Sequence, residues 1–214
     1  MNKYKEYWEN HFTIPNPDDI SYCSWLDQYS VLINNTDDYI IDLGCGTESK
    51  IKYLLERGKK VLACDYADLA INLAKERFKD SVESGKLILK QFDMTYPFQI
   101  DENYTDLIIA DLSLHYFNKS TTIDILKEIK RVLKPNGNLL FRVNSVKDES
   151  YNPNLDKKIE HNFYFAKGYE KRFFDMEDIR YFFQDFKIED VQEETIIRYG
   201  KSKVLFIGNV KNKK

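Results

Sequence analysis

Four aspartates stand at or beside the ends of apolar runs: Asp42 after Tyr39-Ile40-Ile41, Asp65 after Val61-Leu62-Ala63-Cys64, Asp93 after Phe92, and Asp111 after Ala110. In an open α/β sheet, ligands bind outside the carboxyl ends of the strands, so carboxylates there can accept hydrogen bonds from ligand hydroxyls and amines. The first acid has two glycines beside it, in Asp42-Leu43-Gly44-Cys45-Gly46. Glycine lets the backbone turn tightly and approach a ligand with no Cβ in the way. A helical pattern follows from Glu48 to Arg57, and its first turn offers free N–H groups to whatever lies there. Strand, glycine turn and helix in that order make a nucleotide-binding loop. Asp65 comes nineteen residues after Gly46, near the ~20 typical of an acid that holds ribose hydroxyls.

The elements that must carry these residues alternate. Strand patterns cover 39–43, 61–65, 87–92, 105–110 and 138–144, and helical patterns cover 48–57, 67–79 and 120–133. In the last helix Ile123, Leu126, Ile129 and Leu133 recur at helical spacing, with Ser120 or Thr121 able to cap it. Lys134-Pro135-Asn136-Gly137 reads as a turn. Such alternation predicts an α/β fold, a parallel sheet with helices on both faces. The chain then changes character. Phe174 to Phe183 reads as a helix capped by Asp175, and runs at 186–195 and 203–210 read as a hairpin closed by Arg198-Tyr199-Gly200-Lys201.

The dinucleotide fingerprint G-x-G-x-x-G needs a third glycine where this chain has Ser49, so a nicotinamide-dependent oxidoreductase fits poorly. Asp42-x-Gly44-x-Gly46 instead resembles motif I of the class I S-adenosylmethionine-dependent methyltransferases. The resemblance spans roughly residues 37 to 210, and its general look is that of the small-molecule branch, including the tellurite-resistance type. It implies a Rossmann-like, mostly parallel seven-stranded sheet of order 3-2-1-4-5-7-6 ending in a β-hairpin. It implies S-adenosylmethionine as cofactor and methyl transfer to a small-molecule acceptor by in-line displacement. Asp42, Gly44, Cys45 and Gly46 would line the cofactor, with Asp65 and Tyr66 at the ribose. Asp93 would accept the adenine amine while the Met94 backbone meets a ring nitrogen. Asp111 and Leu112 open the loop that would face both sulfonium and acceptor, and His115 is the candidate general base there, or a residue that shapes the pocket. Glu48 stands where most of the family carry glycine, and its side chain is expected to point away from the ligand.

No repeat, low-complexity tract or obvious linker interrupts the sequence, which predicts one domain over residues 1–214. By the same resemblance, residues 1–36 would form a helical lid, with Tyr4, Trp8 and Phe12 at helical spacing, and 145–174 a substrate-covering insert rich in aromatics. Of Arg142 and Asn144, only one is expected to face the cleft. The Asp/Asn-Pro-Pro-aromatic motif of DNA amine methylation is absent, and Asp111 alone does not make a catechol-type magnesium site. A catalytically silent fold relative that activates a partner is the other reading.

Composition sets the remaining bounds. A net charge of −3 gives no general attraction for nucleic acid. No apolar run approaches the ~20 residues that span a membrane, and the first residues lack a signal peptide's apolar stretch. Cys23, Cys45 and Cys64 are odd in number and form no C-x-x-C pair, which argues against disulfides and zinc and favours a cytoplasmic location.

Overall fold

The computed structural model describes residues 20–46, 48–154, 157–166, 168–198 and 200–213. Tyr4, Trp8 and Phe12, the core of the expected lid helix, lie outside these residues. The described part of that segment is helical: a 3-10 stretch, Ile20–Tyr29, continues as α1, Ser30–Asn34.

The sheet is built from β1 (Tyr39–Leu43), β2 (Lys60–Asp65), β3 (Leu87–Gln91), β4 (Thr105–Asp111), β5 (Leu133–Asn144), β9 (Phe186–Arg198) and β10 (Lys201–Asn212). Their spatial order is β3-β2-β1-β4-β5-β10-β9. Counted within this sheet, that is the expected 3-2-1-4-5-7-6. The first five strands pair in parallel, while β10 runs antiparallel to both β5 and β9. β1 and β4 are buried on both faces, as parallel strands covered by helices must be. Ile41, Ile108 and Phe141 face one core, together with α5 (Lys119–Val132) and α6 (Met176–Phe182). Ile40, Ile109 and Leu140 face the other, together with α2 (Ser49–Glu56) and the 3-10 segment. α5 presents Ile125, Ile129 and Val132 to the sheet at helical spacing. Each such side chain contributes about 1.5–3 kcal/mol when buried.

Several boundaries differ from expectation for local reasons. The predicted helix over 67–79 divides into α3 (Asp68–Arg77) and α4 (Lys79–Glu83), because Phe78 takes non-helical angles of φ −110° and ψ 33°. α5 is capped by Asn118, whose side chain accepts from the Thr121 amide, and not by Ser120 or Thr121. Asparagine is among the best N-caps, so the helix starts one residue early. β5 begins at Leu133, which makes the proline turn an irregularity inside the strand, where its register with β4 shifts. Asp175 caps α6 as expected, in a reciprocal capping box with Asp178.

The segment between β5 and α6 holds a second sheet not foreseen from the sequence. Its strands are β6 (Lys157–Glu160), β7 (Phe163–Ala166) and β8 (Tyr169–Arg172), antiparallel in that order.

Candidate functional site

The acids at the carboxyl ends of the central strands all point one way. Side chains alternate along a strand. Asp42 shares the face of Ile40, Asp65 that of Ala63, Asp111 that of Ile109, and Arg142 and Asn144 that of Leu140. All five are buried. Arg142 and Asn144 are two residues apart, so both face this side, which corrects the expectation that only one would. The result is a polar layer laid on an apolar one, beneath α2 and the 3-10 segment.

The glycine turn is pinned over this layer. The amides of Gly44 and Cys45 both donate to the Cys64 carbonyl, at 2.8 and 2.9 Å. Gly46 donates to Asp65 Oδ2 at 3.0 Å, and Ala67 donates to Asp65 Oδ1 at 3.0 Å. The Asp65 carboxylate therefore braces the turn against the start of α3. Burial pushes its pKa up, and these amides oppose the shift. Gly44 and Gly46 take φ of +72° and +60°, the left-handed region that glycine occupies without strain.

Asp42 is fully buried, and among the described residues neither of its oxygens has a hydrogen-bond partner. Lys50 Nζ stands 3.8 Å from Asp42 Oδ1 and 3.7 Å from Asp111 Oδ2, at ion-pair distance from both. Burial pushes the Asp42 carboxyl up to about 7, with Lys50 pulling it down. Asp111 is gripped by Arg142, Nε to Oδ1 at 2.7 Å and Nη2 to Oδ2 at 3.0 Å, a bidentate charge-assisted pair. The Arg142 guanidinium lies over the Trp25 ring, 4.7 Å from its centroid. Asp111 is thus engaged by protein groups as well as standing at the candidate site.

The loop after β4 turns back through Leu112, at φ +53°. A bulky side chain there is a true outlier that costs about 1–3 kcal/mol, and such strain clusters at functional sites. The Leu112 amide donates to the Arg142 carbonyl at 3.0 Å. This reversal brings Ser113 against the glycine turn: a Cβ added to Gly44 would meet Ser113 Cβ at 2.5 Å and Met94 Cε at 3.8 Å. The ends of β1, β3 and β4 therefore converge on Gly44. Asp93 is half-buried, and its Oδ1 accepts from the Thr95 amide at 2.9 Å. Tyr66 is half-buried, and its carbonyl accepts from Gln91 Nε2 at 3.0 Å. Glu48 is turned onto Arg77 of α3, which pairs its charge.

His115 lies in a 3-10 turn, Leu114–Tyr116, and is 2% exposed. Its ring centroid is 4.2 Å from that of Tyr116, which meets Tyr169 of β8 edge-on at 6.0 Å. Tyr164 and Phe173 of the aromatic insert pack on Tyr151, at 5.6 and 5.1 Å. The insert is fastened to the His115 loop by Arg172. Its guanidinium donates to the Phe117 carbonyl at 3.3 Å, the His161 carbonyl at 3.0 Å and Glu160 Oε2 at 2.7 Å. Glu160 Oε2 also accepts from the Lys119 amide at 2.8 Å.

His161, Asp175 and Asp178 have the spacing of a cation site. Asn162 Nδ2 already stands among them, 3.2 Å from His161 Nε2, 3.2 Å from Asp175 Oδ2 and 2.8 Å from Asp178 Oδ2. The amide fills the place a metal would take. Among the described residues, no helix is long and apolar enough to cross a membrane.

Lys50, Ser113 and Trp25 were not singled out in the sequence. Lys50 and Trp25 lie on helical segments whose facing direction depends on packing. The Asp111–Arg142 pair had a signal, since both end neighbouring parallel strands, but only the observed register puts them opposite each other.

A hairpin-ended Rossmann-like sheet with a glycine turn after β1 and acids ending β1, β2 and β4 defines an α/β domain built to receive a nucleoside cofactor. Residues 41–141 match the family model described as a methyltransferase domain. YqeM of Bacillus subtilis is 33% identical over 107 residues, 50% of this chain and 42% of its own length. The match thus spans less than half of that relative. A SAM-dependent methyltransferase of Methanosarcina mazei has the same fold, with a TM-score of 0.70 at 21% identity over 82% of this chain and 92% of its own. So does a 1,6-didemethyltoxoflavin N1-methyltransferase of Burkholderia thailandensis, solved with 1,6-didemethyltoxoflavin and S-adenosylhomocysteine, with a TM-score of 0.70 at 15% identity over 99% and 84%. Residues 41–141 thus match a methyltransferase domain, and the fold is the one shared by solved S-adenosylmethionine-dependent methyltransferases.

Proposed function

We propose that this protein transfers a methyl group from S-adenosylmethionine to a small-molecule acceptor. One observation carries the reading: a fully buried Asp42 carboxylate with no hydrogen-bond partner among the described residues, directly before a glycine turn in the left-handed region. A buried carboxylate that accepts no hydrogen bond is costly and calls for a donor. Among the described residues Asp42, Asp65 and Asp111 outnumber Lys50 and Arg142, which gives this layer a negative balance when all are ionised. S-adenosylmethionine, with an ammonium, a sulfonium and one carboxylate, is a matching cation. The residues present therefore fit the donor.

In this reading Gly44, Cys45 and Gly46 admit the ligand closely, and Asp65 and Tyr66 flank the ribose. Asp93 and the Met94 backbone meet the adenine, and Asp111 and Leu112 close the methionine end. His115 positions the acceptor or takes its proton. The donor, when bound, supplies an electrophilic methyl group, and the protein aligns the acceptor and excludes water. Alignment alone contributes ~7–11 kcal/mol. The domain is read as one unit, in which the 3-10 segment and the β6–β8 insert cover the acceptor. Its aromatics favour a flat or apolar molecule. The similarly folded Burkholderia enzyme binds one small molecule of its own, 1,6-didemethyltoxoflavin.

Calorimetric titration should show S-adenosylmethionine and S-adenosylhomocysteine binding in the low-micromolar range and no response to NAD. Methyl-labelled S-adenosylmethionine incubated with small-molecule, RNA and protein fractions of a cell extract should then label the first. Label in RNA or protein would overturn the acceptor class. Binding without any transfer would point to a silent, partner-activating subunit. NAD binding alone would overturn the assignment.

Asp65→Ala tests one contact. Losing a hydrogen bond made by a charged group should weaken S-adenosylmethionine by about 1.5–3 kcal/mol. The structure also predicts a loss of stability. Two amides, of Gly46 and Ala67, would be left without their acceptor. Melting curves of the free variant should show the drop, and normal binding by the variant would remove Asp65 from the site.

A further inference from the structure

Lys50 is the buried lysine of α2, set at 3.8 Å from the acid that ends β1 and 3.7 Å from the acid that ends β4. Those strands flank the switch point where the order of the sheet reverses. We propose that Lys50 is a positioning residue that fixes the charge of the layer beneath the glycine turn, so that Asp42 meets a cationic ligand as an anion. The inference rests on the reading that S-adenosylmethionine binds here.

Charge balance in a buried site decides the state of Asp42. Every element around Asp42 presents a titratable group. Lys50 comes from α2, Asp65 and Cys64 from β2, Asp111 from β4 with Arg142 of β5 bound to it, Cys45 from the turn and Cys23 from the 3-10 segment. Burial keeps the three thiols protonated, Cys23 being pushed up to about 12. Arg142 is committed to Asp111 through two hydrogen bonds. Lys50 is the cation nearest Asp42 among the described residues, and its field is the largest influence lowering the Asp42 pKa. Burial pushes Asp42 toward its protonated form and Lys50 opposes it, and a neutral carboxyl offers no charge to an ammonium or a sulfonium.

The sign follows. With Lys50 present, S-adenosylmethionine binding should weaken as pH falls through about 7, where Asp42 takes up a proton. In Lys50→Met the Asp42 pKa rises further, so the same fall begins at higher pH. The first unit of upward shift makes binding about fivefold weaker at pH 7, and each further unit about tenfold, with recovery toward pH 9. Lys50→Arg should keep the wild-type profile. 5′-Methylthioadenosine has the adenine and ribose but neither cationic group, so Lys50→Met should leave its affinity unchanged.

The experiment is calorimetric titration of both nucleosides across that pH range for wild type, Lys50→Met and Lys50→Arg, with melting curves to verify folding. Lys50→Gln serves if Lys50→Met does not fold. A pH step shifted upward for S-adenosylmethionine alone, absent in Asp42→Asn, supports the inference. An unshifted step, tighter binding by Lys50→Met, equal loss of both nucleosides, or a step that persists in Asp42→Asn overturns it. If the wild type binds neither nucleoside at any pH, the functional reading falls and the inference with it. Binding without the predicted shift defeats the inference alone.

Discussion

Gly44→Val is expected to abolish S-adenosylmethionine binding and to lower the melting temperature at the same time. Two effects act on one residue. The position has φ +72°, which a β-branched side chain adopts only under strain. The new Cβ would also stand 2.5 Å from Ser113 Cβ, an atom next to the backbone that cannot swing aside. The sequence suggested that valine would intrude on the ligand. In the structure the obstruction is the β4 loop itself, so the lesion separates the ends of β1 and β4 before any ligand arrives. Calorimetry and thermal melting on the same preparation test this. Gly44→Ala combined with Ser113→Gly removes part of the clash and should recover some stability. A Gly44→Val protein that binds normally would show that the turn does not hold the cofactor.

His115→Asn carries the second large effect. If His115 removes a proton from the acceptor, turnover should fall by about 10²–10⁴-fold while S-adenosylmethionine affinity is retained. Asparagine keeps polarity and removes the titratable ring. The side chain is buried and its ring is tilted against that of Tyr116, so some loss of stability accompanies any change here. The pH profile separates the roles. A general base makes the rate fall as pH is lowered through its pKa, and a packing residue imposes no such dependence. The measurement is initial rate over about pH 6 to 9 on the acceptor returned by the labelling screen. A variant with wild-type rates throughout would exclude His115 as the base. The acceptor would then arrive already nucleophilic, or be deprotonated by another group.

How much of this was legible in the sequence depended on the range of the interaction. β1 was legible to the residue because it is a short apolar run closed by an acid and two glycines. The strand order came from the family resemblance, since periodicity alone gives only alternating strands and helices. The Asp175 cap was legible because capping is local. Asp65 was identified, but its grip on Gly46 and Ala67 was not, since that depends on how the turn folds back over β2. The Asp111–Arg142 pair spans 31 residues and rests on a register that shifts within β5. Each strand of the insert is four residues long, too short for alternation to be distinguished from chance. Leu112 looked like an ordinary apolar residue, and nothing in its type announces a left-handed backbone.

The placing of β10 between β5 and β9 has a consequence for how the molecule is made. β10 is the last strand of the sheet in sequence but not at its edge in space. On the ribosome, β5 and the strands parallel to it are complete well before residues 201–212 exist. At typical synthesis rates of 5–20 residues per second, the interval between the end of β5 and the end of β10 is roughly three to fourteen seconds. For that time the nascent chain displays an unfilled strand edge bearing Leu139, Leu140, Phe141 and Val143, the kind of surface that pairs with other chains. Early release of the chain, or a stop codon in the β9–β10 turn, would make that edge permanent. Demand for chaperones during expression should therefore be set by the C-terminal hairpin.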